Sequence, residues 1–395
     1  MSAVLLKGWK PVEGDNWTLK FEHFPESNTF AVSNSNGSIY GYSLNDLSTV
    51  PLYELKHESS VNGMMRVDST TLVSCATDGV KVWDLRSGAK PTASFTNCKL
   101  SAFLLVAYNP HSHLVAGGTE KVSVDAEVHL WDIRKPGSDT FKSFIDSHND
   151  DVTYLNYHPT QSQYLMSGST DGYVNVYDLT QEDEEEALHQ VINYASVHLC
   201  KFITENKISI LSHVESLRFD NLFTSNYEDG EKPEPRDLGD VRDLWNRCEY
   251  VVDIYPGTGT GSGSGYIAFG ANSVHSLTVV PFDPTSETIV MDQAVVFPNA
   301  HNEEVVRDVL VIPGTNTVLS CGEDASINLW EMPNKLPQMG KIAINDVKQL
   351  ELAGSEDKDM EEPNDTKKEK RKHKSKHKHK EKKKSSRKDV KYKPY

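Results

Sequence analysis

The side chains able to do chemistry in this chain recur at fixed intervals. His301 precedes Asp324 by 23 residues and Trp330 by 29, and His148 precedes Asp171 by 23 and Tyr177 by 29. A histidine beside an aspartate is a starting point for acid–base catalysis, and with further donors for a metal site. A catalytic or metal centre needs its groups to converge on one point, whereas these pairs repeat along the chain and belong to separate, equivalent units. The expectation is therefore that they are structural, and that the chain is not an enzyme and uses no cofactor or metal. Pro256 to Gly265 (PGTGTGSGSG) is glycine-rich like a phosphate loop. It lacks the Gly-Lys-Ser/Thr ending and no helical pattern follows, so it reads as a flexible loop. No Gly-x-Ser-x-Gly occurs, and His23, His111, His113, His189 and His275 have no partner at ligand spacing. Five widely spaced cysteines with no Cys-x-x-Cys argue for a reducing, intracellular setting and against zinc.

The elements that must position the His and Asp pairs form a repeat. From His301 to Glu331 the order is a histidine, an apolar strand (Val305 to Val311), VLSCGED with a tight turn at Asp324, and INLWE ending on Trp330 and an acid. The same template runs from His148 to Leu179, and from Thr71 to Gly88 with His57 upstream. A third copy ends at Trp131 and Asp132, and a fourth, Thr29 to Leu44, turns on Asn36–Gly37. Two degenerate copies, Ile208 to Leu222 and Tyr266 to Asp283, put Phe219 and Phe282 where tryptophan stood. Cys75 and Cys321 share one repeat position and read as core filler.

Repeats of about 40 to 45 residues mean that each four-stranded unit buries its faces only against its neighbours. The fold class expected is all-β, a seven-bladed β-propeller over residues 1–340. Its blades fall near 17–44, 57–85, 101–134, 148–179, 195–220, 250–283 and 301–332. Val4 to Trp9 is the candidate strand for sealing the ring against the last blade. Residues 223–249, rich in acids, read as an exposed insertion too polar for the core, with RDLWNR as a helical turn. Nothing in the sequence argues for a membrane span.

These residues resemble the WD40 repeat family, most strongly in the second, third, fourth and seventh blades. The degenerate first, fifth and sixth blades and Lys-rich C-terminus give an overall layout similar to the WD repeat-containing protein 89 group. The resemblance implies a hydrogen-bonded chain of His, Ser or Thr, Asp and Trp in each good blade. By position these are His57, Ser74, Asp78 and Trp83; His148, Ser167 and Asp171, with Tyr177 replacing Trp; and His301, Ser320, Asp324 and Trp330.

Charge divides the chain. The net of −16 conceals a segment from Lys367 to Tyr395 with 16 Lys and Arg against three acids, so the rest carries 25 basic and 54 acidic side chains. Residues 341–365 read as an acidic linker and 366–395 as a basic disordered tail. Lys367, Lys368, Lys370, Arg371 and Lys372, followed by Lys382, Lys383, Lys384, Arg387 and Lys388, read as a two-part nuclear import signal recognised by importins. The same charges offer loose, salt-sensitive, sequence-independent contact with RNA. In the body, Glu182, Asp183, Glu184, Glu185 and Glu186 form a run that reads as a solvated loop or a docking patch for a basic partner.

The function expected is a nuclear or nucleolar protein-binding scaffold with a basic client such as a ribosomal protein or histone, a monomeric propeller within a complex. The competing reading is a regulatory propeller that recognises a short modified peptide within a larger enzyme complex, for which Arg66 and Arg307 are cage candidates by position. With opposite charges on one chain, the tail is also expected to compete for the acidic body.

Overall fold

A computed structural model of the chain describes residues 1–46, 48–135, 137, 139–223, 233–257 and 265–337. By contacts the chain divides into Met1–Asp346 and Val347–Tyr395, and the second unit lies wholly outside the described residues. So do the acidic linker, the basic tail and every residue of the expected import signal.

The first unit is a ring of seven antiparallel sheets. The inner strands are Thr18–Phe24, Gly63–Arg66, Phe103–Asn109, Val152–Tyr157, Val197–Phe202, Tyr250–Tyr255 and Val306–Val311. Each is followed outward by two strands such as Thr71–Ala76 and Gly79–Asp84 in the second blade, then by an outer strand such as Ala93–Phe95. The middle strands are buried on both faces, as in Thr71–Ala76, where every residue after Thr71 is buried. Their Val, Leu, Cys and Ala side chains fill the space between blades: Phe24, Ala31 and Ile39 of the first blade form one apolar cluster with Leu72 and Trp83 of the second. That is why the second strand of each repeat reads as an unbroken apolar run instead of an alternation.

Turns between second and third strands follow from their residues. At Asn36–Gly37 the backbone of Gly37 takes φ +88°, and a Cβ there would meet the His57 and Ser59 carbonyl oxygens at 2.6 and 2.5 Å. The Asn36 carboxamide oxygen accepts from Ser38 N–H at 2.9 Å, closing the turn.

The ring closes through the N-terminus. Val4–Trp9 pairs antiparallel with Ile327–Glu331 and supplies the outer strand of the seventh blade. Ahead of it, the Met1 ammonium donates to Ala294 O at 2.9 Å and Ala3 N–H to Val296 O at 2.8 Å, so the first residues also line the outer strand of the sixth blade, Val295–Pro298. Trp9 then meets Tyr42 edge-on at 5.6 Å, packing toward the first blade.

Two expectations from sequence are corrected. The blade limits read from the repeat stop at the third strand. The outer strands of the first six blades lie beyond them, at Tyr53–Lys56, Ala93–Phe95, Lys142–His148, Leu188–Asn193, Arg236–Asp240 and Val295–Pro298. Outer strands are half-exposed and carry little apolar pattern, and His148, read as the start of the fourth blade, ends the outer strand of the third. The second correction concerns the polar segment 223–249. Its described part supplies the fifth blade's outer strand, and Val241, Trp245 and Cys248 are buried in the cluster between the fifth and sixth blades. The RDLWNR stretch does turn helically, with Trp245 N–H donating to Val241 O at 2.9 Å. The acids around them, Asp237, Asp240, Asp243 and Glu249, hid three core residues.

Candidate functional site

The loops at one end of the ring carry the recurring histidines. In the second blade His57 Nδ1 lies 2.6 Å from Asp78, His57 Nε2 lies 2.7 Å from Ser74 Oγ, and Trp83 Nε1–H donates to Ser74 Oγ at 2.8 Å. The seventh blade repeats this: His301 to Asp324 at 2.7 Å, His301 to Ser320 at 2.8 Å, and Trp330 to Ser320 at 2.9 Å. In the fourth, His148 meets Asp171 at 2.9 Å and Ser167 at 2.6 Å, and the Ser167 hydroxyl reaches the Tyr177 hydroxyl at 3.2 Å, so tyrosine takes the tryptophan's place with a longer bond. Each chain runs from a loop carboxylate to a buried aromatic and satisfies every polar atom along the way.

Electrostatics agree with that geometry. Burial works against the Asp78 carboxylate, but the Lys81 ammonium and the His57 ring outweigh it and hold Asp78 at about 2. Asp324 is likewise held at about 2 against burial, by His301 and Ser326. No group of three or more His, Cys, Asp or Glu among the described residues has the geometry to hold a metal ion.

The acidic run lies within the fourth blade, between its third and outer strands, and divides in two. Asp183 caps the short helix Glu184–Ala187, accepting from Glu185 N–H at 2.8 Å. Glu184 folds back on the third blade's outer strand, accepting from Ile145 and Asp146 N–H at 2.9 and 3.0 Å. Those two carboxylates hold local structure, and Glu182, Glu185 and Glu186 remain exposed. The cage candidates are also occupied: Arg66 pairs with Glu26 at 2.7 Å, and Arg307 pairs with Glu323 while its guanidinium lies 5.2 Å from the Trp17 ring centre.

The charged side chains that sequence reasoning missed line the central channel. The inner strands enclose about 430 Å³, walled by Met64, Leu104, Tyr154, Tyr255 and Leu310 and crossed by Lys20, Glu22, Lys201, Asp253 and Asp308. Lys201 pairs with Asp253 at 2.5 Å, with its ammonium 5.6 Å from the Tyr154 ring centre. Asp308 accepts from Phe21 and Val309 N–H at 2.8 and 2.9 Å, and its charge is the main influence raising the Lys20 ammonium's pKa. A signal was present at Asp253, the single charge in the otherwise apolar strand YVVDIY. A second missed group joins Lys99, Glu127, His129 and Ser143 in the third blade, at 2.8, 2.7 and 2.8 Å along that order. It stands beside Trp131, which stacks on Phe95 at 5.3 Å.

The family model described as WD domain, G-beta repeat matches residues 139–178 and 293–331, the segments that carry two of the three networks. An uncharacterised WD repeat-containing protein of Saccharomyces cerevisiae is 37% identical over 395 residues, 96% of each chain. The chain belongs to the WD repeat family. The WD repeat-containing protein 89 homolog of Dictyostelium discoideum is 30% identical over 139 residues, 35% of each chain. Among solved structures, the Cps50 (Swd1) β-propeller domain of Myceliophteria thermophila matches with a TM-score of 0.61, covering 84% of this chain and 99% of that one at 14% identity, which shows the fold alone. WD40 propellers of this kind are typically non-enzymatic scaffolds for protein interaction.

Proposed function

We propose that this WD40 propeller is a non-catalytic scaffold whose client is a basic protein, of the chemical kind of a ribosomal protein or histone. The observation that carries the reading is charge: outside the last 29 residues acids exceed bases by 54 to 25, and Glu58, Glu185, Glu186, Glu303 and Glu304 stand exposed. A field of one sign over a rigid ring gives fast, selective association with an oppositely charged partner. It also repels phosphates, so RNA contact falls to the Lys-rich C-terminal segment, which in this reading supplies nuclear import as well. The modified-peptide alternative has less support, because Arg66 and Arg307 each already face a carboxylate.

The test is affinity capture from cells of the full chain beside a version ending at Asp365, at two salt concentrations, with bound protein and RNA identified. A basic protein retained by both versions and weakened by salt is the expected result. Material that vanishes with the C-terminal segment and proves to be RNA would overturn the client reading.

A further inference from the structure

Among the described residues the channel holds two ammonium groups and three carboxyl groups, so one carboxyl is left outside a direct ion pair. Lys201 and Asp253 pair directly. Lys20 and Asp308 lie on adjacent inner strands, Thr18–Phe24 and Val306–Val311, and each is the other's main charge partner. Glu22 remains. It has no side-chain partner among the described residues, and the donor near it is the backbone N–H of Arg66, whose guanidinium is engaged by Glu26. The groups facing it are Lys20 on its own strand, Arg66 on the second blade, Tyr255 on the sixth and Asp308 on the seventh.

Position supports a site. Glu22 sits two residues before the end of its inner strand, while Arg66 and Tyr255 are the last residues of theirs, so all three frame the mouth opposite the histidine loops. The channel volume falls within the range that accepts a small ligand or one long side chain. The apolar side chains of Met64, Leu104 and Leu310 suit methylene groups, and Tyr255, its ring stacked on Tyr266 at 5.1 Å, lines the same wall. An occupant's charge must oppose the carboxyl left outside an ion pair.

We propose that this mouth of the channel binds a single cationic group, an ammonium or guanidinium on an extended side chain, with Glu22 as its counter-ion. The proposal deepens the basic-client reading by giving one client side chain a seat, and a free small cation offers the same chemistry. Burial, helped by Asp308, pushes the Glu22 carboxyl up to about 7, against the Arg66 N–H and the weaker pull of the Arg66 and Lys20 charges. Below that pH the site is neutral, and a cation entering it must displace a proton. Binding is therefore expected to tighten as pH rises through 7.

The full chain is titrated calorimetrically with acetyl-arginine amide at pH 6 and pH 8, in 0.3 M salt to screen the outer surface, using buffers of different ionisation heat. Affinity is expected to rise about tenfold between the two pH values, following the ionised fraction of Glu22, with about one proton released per probe at pH 6. In Glu22→Gln, which keeps the shape of the protonated carboxyl, the pH dependence and most of the affinity are expected to vanish. Equal affinity at both pH values, wild-type behaviour of Glu22→Gln, or no binding at about 10 mM probe (weaker than roughly 3 kcal/mol) would overturn the proposal. The capture experiment repeated with Glu22→Gln separates the sources. Weaker retention of the basic client assigns the seat to its side chain, and unchanged retention with lost probe binding assigns it to a free cation. Should capture find no basic client while the probe binds with proton release, the client reading falls and the channel site stands.

Discussion

Two serines with the same burial are expected to respond in opposite ways to one substitution. Ser320 and Ser33 are both fully buried, each on the second strand of its blade. Ser320 Oγ receives Trp330 Nε1–H at 2.9 Å and faces His301 Nε2 at 2.8 Å. Ser33 Oγ has no hydrogen-bond partner among the described residues. Ser320→Ala leaves an indole N–H and an imidazole nitrogen unpaired in the core, each costing about 1–3 kcal/mol, so a loss of about 2–4 kcal/mol is expected. Ser33→Ala removes a hydroxyl already without a partner and is expected to be neutral or stabilising by up to about 1 kcal/mol. Urea unfolding followed by tryptophan fluorescence measures both. Combining Ser320→Ala with Trp330→Phe is expected to cost less than the sum of the two, because one lost bond is shared. Equal losses in the two serine variants would refute the claim that the network, and not burial alone, stabilises the seventh blade.

Three further outcomes follow from the charges. Asp78 and Asp324 are held below the ordinary carboxylate range, so their contribution to stability is full above about pH 4 and lost as pH falls toward about 2; Asp78→Asn is expected to lower stability at pH 7 and to flatten that acid limb in melts taken from pH 7 to 2.5. Glu22 has the opposite sign, its pKa raised to about 7, so it costs stability progressively as pH rises from about 4.5 to 7; Glu22→Gln is expected to raise the melting temperature at pH 8 and leave it unchanged at pH 4. Lys201→Met strands the Asp253 carboxylate and is expected to cost about 3–5 kcal/mol in urea unfolding, most of it recovered by adding Asp253→Leu.

The fold was legible because it repeats. His301, Asp324 and Trp330 share their spacing with His148, Asp171 and Tyr177, since each network must span the same loop-to-core distance, and the second blade repeats the order with a shorter loop. Outer strands were not legible, because Arg236–Asp240 and Leu188–Asn193 satisfy only backbone pairing on one side and accept almost any side chain. The channel was harder still. Lys20, Lys201, Asp253 and Asp308 come from four blades, and nothing in the spacing of 20, 201, 253 and 308 along the chain brings them together. Only the ring does so. The acidic run ahead of the fourth blade's outer strand was visible as charge, but the capping by Asp183 and the reach of Glu184 to the neighbouring blade depend on a four-residue helix too short to read.

The pairing of Val4–Trp9 with Ile327–Glu331 also fixes a delay during synthesis. At about 5–20 residues per second, the partner of the first strand is made roughly 16–65 seconds after that strand leaves the ribosome. Throughout that interval Val4, Leu5 and Leu6 are unpaired, and they stay largely exposed even in the finished ring. A nascent chain of this kind is open to pairing with another copy until its last blade is complete, so aggregation during expression should depend more on elongation rate and chaperone supply than on the stability of the finished protein.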